Sequence, residues 1–154
     1  MYRLSARAVL AALVAGLVLA GPLVPSSSSA QATRTSRSAA PVVKLGVAHL
    51  IVSPSGRTLY VLTGDGKNKS TCYQRCAHIW PPMLVAKGAT PPAHMSGIPG
   101  IFGVTVRTDG THQLTYDGAP LYRFLLDKAA GAVKGQGIFN FGGFWWAIVA
   151  SGSQ

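Results

Sequence analysis

Two decapeptides at a constant offset of 62 residues constrain this chain more than any other feature. GRTLYVLTGD occupies residues 56–65 and GAPLYRFLLD residues 118–127. Aligned without gaps, Gly56, Leu59, Tyr60 and Asp65 meet Gly118, Leu121, Tyr122 and Asp127, and Leu62 meets Phe124. The likeness continues on both sides: Val52 and Leu114 lie equally far ahead of the two glycines, and Trp80 leads into PPMLV as Trp145 and Trp146 lead into AIV. Each half therefore reads strand, glycine turn, strand with tyrosine, loop, tryptophan, strand. A unit this small cannot bury its own apolar face, whereas two copies related by a pseudo-twofold axis can bury each other's.

Residues 44–152 contain strand-length runs separated by turn residues and no sustained helical period. The runs are VAHLIVS (47–53), TLYVLT (58–63), PMLVA (82–86), FGVTVR (102–107), HQLTY (112–116), PLYRFLL (120–126) and FWWAIVA (144–150). The fold class expected is all-β, a small domain of two repeated antiparallel units. Asp109-Gly110 between alternating segments predicts a two-residue type I′ hairpin, with Val106 opposite Gln113 and Val104 opposite Thr115. Ser53-Pro54-Ser55-Gly56 and Asp117-Gly118 supply the turns ahead of the two repeated strands. Within those strands a period of two places Tyr60 with Leu62 and Tyr122 with Phe124 on core-facing sides, their hydroxyls reaching polar partners, and turns Arg123 to solvent.

The first 32 residues read as a signal peptide: Arg3 and Arg7, an apolar run over residues 8–21, and Ala30-Gln31-Ala32, which predicts cleavage before Thr33. The run is shorter than the about 20 residues of a spanning helix, so no transmembrane segment is expected after processing. Residues 33–43 read as a flexible tether and residues 44–154 as the domain. The expected location is secreted or extracytoplasmic. The processed chain keeps 12 basic residues against four carboxylates, a formal charge of +8. Outside the cell that charge favours an anionic envelope polymer or surface over nucleic acid.

With these residues in view, GRTLYVLTGDGKNKSTCYQRCAHIWPP, QLTYDGAPLYRFLLD and GQGIFNFGGFWWAIV together resemble a secreted-repeat family of unknown function, predicted lipoproteins with a Tyr-x-aromatic-x-x-Asp motif. The likeness spans residues 45–152. Tyr122, Phe124 and Asp127 fit the motif in full, while Tyr60 and Asp65 flank Leu62 where an aromatic is usual. The lipid-accepting cysteine is missing near the cleavage site. The resemblance implies a role at the cell envelope and no particular reaction.

Residue chemistry adds candidates and removes others. No catalytic group is signalled, no G-x-S-x-G elbow occurs, GDGKNKS (64–70) and GQGIFN (135–140) lack the context of nucleotide loops, and no cofactor is expected. Asp65 and Asp127 close the two repeats, where a twofold could bring them together as an acid–base pair or leave each capping its own loop. Cys72 and Cys76 in an exported chain favour a disulfide, worth about 2 kcal/mol for so small a loop. The alternative is a redox or metal-handling protein holding copper or zinc through Cys72, Cys76 and His78, with a fourth ligand among His49, His94, His112, Met83 and Met95. The leading expectation is a non-enzymatic binding or structural module.

Overall fold

The computed structural model describes residues 43–150; the expected signal peptide, nearly all of the expected tether and the last four residues lie outside them. Nine short strands and one helical turn make up the described chain: β1 (Lys44–Leu45), β2 (Ile51–Val52), β3 (Tyr60–Leu62), α1 (Arg75–Ile79), β4 (Leu84–Val85), β5 (Phe102–Val106), β6 (His112–Tyr116), β7 (Ala119–Pro120), β8 (Phe139–Asn140) and β9 (Gly143–Ala147). Every pairing is antiparallel. β9 lies between β3 and β8, while β6 lies between β5 on one side and β4 with β7 on the other. This is the all-β domain expected from the turn-punctuated runs.

The repeat explains how these strands are shared. Each tryptophan segment pairs with the tyrosine strand of the other copy: Tyr60, Val61 and Leu62 lie opposite Ala147, Trp146 and Trp145, while the Arg123 and Leu125 amides donate to the Pro81 and Ile79 carbonyls and the Met83 amide to Leu121. The bonds correspond one for one. Ile148 donates to Leu59 as Met83 donates to Leu121, and Ile51 donates to Ile148 as Leu114 donates to Met83. The correspondence is one of contacts, and the surrounding sheets differ in strand number. Pro81 and Pro82 have no N–H to donate, so the expected strand over 120–126 is a broken ladder: β7, then isolated bridges from Tyr122 to Tyr60 and to Pro82.

Alternation divides the repeated Leu-Tyr dipeptide between two cores. Leu59 and Leu121 enter one, with Ile51, Phe102, Leu114 and Ile148. Tyr60 and Tyr122 enter the other, with Leu62, Phe124, Trp80, Trp145 and both cysteines. All four aromatic residues expected inside, Tyr60, Tyr122, Trp80 and Trp145, are fully buried. Trp80 and Trp145 stack with ring centres 3.9 Å apart and planes 2° from parallel, and each receives the edge of its own copy's tyrosine, at 5.4 and 5.1 Å. Gly135 permits that packing, because a Cβ there would stand 2.6 Å from the Trp80 ring.

Three local expectations need correction. Asp109 and Gly110 do not form the type I′ turn: Asp109 keeps negative φ, Gly110 donates to the Arg107 carbonyl, and a three-residue loop pairs Val106 with His112 and Val104 with Leu114. The Asp109 carboxyl accepts from the Thr111 amide and hydroxyl, which holds that conformation. The two-residue turn with both φ positive occurs instead at Asp117 (48°) and Gly118 (83°), joining β6 to β7. Ahead of β3 the loop is again three residues, closed by the Gly56 amide on the Ser53 carbonyl. That extra residue shifts the correspondence, so Ile51 rather than Val52 is the hydrogen-bonding counterpart of Leu114. Finally, residues 47–49 form a tight turn between β1 and β2 instead of a strand, with Ala48 and His49 at positive φ.

Candidate functional site

The polar groups of the two motifs meet inside the second core. The Tyr60 hydroxyl donates to Asp127 Oδ2 at 2.6 Å, and the Tyr122 hydroxyl donates to Asp65 Oδ2 at 2.5 Å. Each copy's tyrosine is thus bound by the other copy's aspartate. The second oxygen of each carboxyl organises the loop that follows: Asp127 Oδ1 accepts from the Lys134 amide, and Asp65 Oδ1 accepts from the Thr71 amide and hydroxyl. Asp127 is fully buried and Asp65 half-buried. Burial first, and the donated bond to a carboxyl second, hold both phenols protonated well above their ordinary range. Asp65 and Asp127 therefore serve the capping role, each with a tyrosine added from across the repeat.

Leu62 and Phe124 show what the motif's middle position does. Phe124 stacks on Trp80 at 4.2 Å, while Leu62 lies opposite Trp145 in the β3–β9 ladder. Both are buried, and the middle position of the motif packs on a tryptophan in each copy.

Cys72 and Cys76 are joined in a disulfide with their α-carbons 5.2 Å apart. Cys72 precedes a turn closed by the Cys76 amide on the Tyr73 carbonyl, and Cys76 lies in α1, whose end delivers Trp80 to the core. With both sulfurs bonded to each other neither is a thiolate ligand. His78 is exposed, and no group of three metal-ligating side chains assembles among the described residues.

One organising residue escaped the sequence reading. Arg107, at the end of the FGVTVR run, is 4% exposed. Its Nη1 donates to Ser70 Oγ at 2.9 Å and to Gln113 Oε1 at 2.7 Å, and its Nη2 donates to the Cys72 carbonyl at 2.7 Å. The guanidinium also lies over the Tyr73 ring at 4.3 Å. The Ser70 hydroxyl in turn bonds the Tyr122 hydroxyl oxygen at 2.8 Å, so Arg107 links the disulfide loop to the motif. A charged residue flanking a hairpin turn reads as a solvated end, and only the arrival of a distant loop makes it central.

Together these contacts define a small β module whose repeated motif is an internal lock. Residues 103–149, from β5 through β9, match the model of a family described as a secreted repeat of unknown function. That span carries the second motif copy, which is the one with the full aromatic pattern. The family is one of secreted repeats, which supports an extracytoplasmic location. No curated protein and no solved structure matched the chain. No helix among the described residues is long and apolar enough to cross a membrane.

Proposed function

We propose that this protein is an exported, non-enzymatic module that binds anionic polymer of the cell envelope through its charged surface. One observation carries the reading. All six lysines of the described domain are exposed, and none is paired with a carboxyl: the one ion pair among the described residues is Arg107 with Asp109. The lysine charge therefore faces outward unpaired, while the tyrosines and aspartates of the motif are engaged in holding the repeats together. Export rests on residues 1–32, with processing before Thr33, and intact mass of the secreted protein tests that boundary.

Retention on isolated anionic wall polymer tests the binding. It should fall steeply with added salt, because the screening length drops from about 10 Å at 0.1 M to about 3 Å at 1 M. Salt-insensitive retention would assign binding to stacking or covalent attachment, and absence of retention at low salt would overturn the reading.

A further inference from the structure

A cleft of about 540 Å³ opens between the end of the second repeated strand and the turn ahead of the first. Its walls include Arg57, Arg123 and Lys128, together with Ser55, Pro81 and Phe124, and no carboxyl group. Three cations lining one concave surface repel each other unless something compensates them. Among the described residues nothing does so: Arg57 reaches only a neutral acceptor, the Asp127 backbone carbonyl, and the only ion pair is Arg107 with Asp109. Arg123 is half-buried, and its Nε is buried with no acceptor. Arg123, expected to face solvent, lies in the cleft wall, where its amide donates to the Pro81 carbonyl.

We infer that the Arg57–Arg123–Lys128 cleft is a binding site for a phosphate group. A guanidinium presents paired N–H donors that match phosphate oxygens two at a time, and an ammonium beside it adds a point charge. The volume falls within the roughly 300–1,000 Å³ of small-ligand sites, so the group can enter as a free ion, an ester or one unit of a chain. Ser55 adds a hydroxyl at the rim. The inference rests on the anion-binding reading above and narrows it from diffuse charge to one site.

The test is a titration of the secreted protein with inorganic phosphate at constant ionic strength, followed by backbone amide NMR. Saturable shifts should centre on residues 55–57 and 123–130. R123Q and K128Q should each weaken binding by about tenfold or more, the loss of one charge-assisted contact, whereas K87Q, exposed and outside the cleft wall, should titrate as the wild type. K128Q keeps the test decisive if R123Q fails to fold. Shifts without saturation, or equal weakening in all three variants, would overturn the site. Retention of the same variants on anionic wall polymer separates the two readings. Salt-sensitive retention without phosphate binding in the cleft sinks the site and leaves the module reading standing. Phosphate saturation without polymer retention keeps the site, assigns it to a free phosphate or small ester, and sinks the polymer reading.

Discussion

Tyr60 and Tyr122 lie opposite each other and exchange backbone hydrogen bonds, each amide donating to the other's carbonyl at 2.9 Å. The same two residues send their hydroxyls to the opposite copy's aspartate within the second core. Four points of contact thus tie the copies at one pair of positions, and the stacked tryptophans cover them. A sequence that repeats its glycine, leucine, tyrosine and aspartate is repeating the parts of a reciprocal joint.

Truncating Tyr122 to alanine should cost about 3–5 kcal/mol, as for a large aromatic removed from a core. Y122F isolates the hydroxyl, which donates to Asp65 and accepts from Ser70, and should cost about 1.5–3 kcal/mol. A double-mutant cycle of Y60F with D127N, read by chemical denaturation, should give a coupling of at least about 0.5 kcal/mol. Additive losses, or a Y122A cost under about 1 kcal/mol, would show that the joint contributes little.

The buried phenols also set an alkaline limit. Their folded pKa values are raised above the unfolded value near 10, so the folded state retains protons that the unfolded chain has released. Their contribution is fully present below about pH 10 and is lost as pH rises beyond it, at up to about 1.4 kcal/mol per pH unit for each tyrosine. Tyrosinate absorbance should therefore develop early for Tyr73, whose hydroxyl accepts from the Thr108 amide and lies near Arg107, lowering its pKa against the opposing effect of burial. Tyr60 and Tyr122 should ionise only with unfolding. A smooth titration of all the tyrosines near pH 10 in the folded protein would contradict this.

Arg107 should prove as important to stability as either tyrosine. R107M strands Gln113 Oε1 and the Cys72 carbonyl and takes one donor from Ser70 Oγ, and should cost about 3–5 kcal/mol by denaturation of the oxidised protein. R107K should fall between R107M and the wild type, since an ammonium keeps the charge without the planar fork. A loss below about 1 kcal/mol in R107M would place the organising role elsewhere.

The difference between Tyr60 and Arg107 marks what was legible in the sequence. Tyr60, Tyr122, Trp80 and Trp145 announce their burial by type, by alternation and by repetition. The partner of each tyrosine strand was not announced, because the period of two fixes which face a side chain takes and says nothing of which neighbour's ladder it joins. The type I′ turn was expected at Asp109-Gly110, yet that dipeptide closes a three-residue loop where Asp109 binds Thr111, and the two-residue turn forms at Asp117-Gly118. Local hydrogen bonds, invisible in residue type alone, decide between them, and the register of β5 on β6 moves by one residue as a result. The cleft was hidden for a third reason: Arg57 lies more than sixty residues ahead of Arg123 and Lys128, and only the fold brings the two segments together.

The disulfide offers a final prediction, because its work is local. Cys72 and Cys76 close a small loop, so chain entropy alone assigns the bond about 2 kcal/mol. Yet both cysteines lie in the core beside Trp80 and Tyr122, and the Cys72 carbonyl accepts from Arg107. Intact mass under non-reducing conditions should show no free thiol to alkylate. Replacing both cysteines with alanine should cost more than the entropic 2 kcal/mol, since two buried sulfurs and the support of α1 are lost together, while the domain keeps its strands. The tryptophan near-ultraviolet signal is the sharper readout: α1 delivers Trp80 onto Trp145, so loosening it should weaken the exciton pattern of that stacked pair before the sheets melt. Two alkylatable thiols in the secreted protein, or a double variant of unchanged stability and unchanged tryptophan signal, would remove the disulfide from the set of contacts that hold the second core.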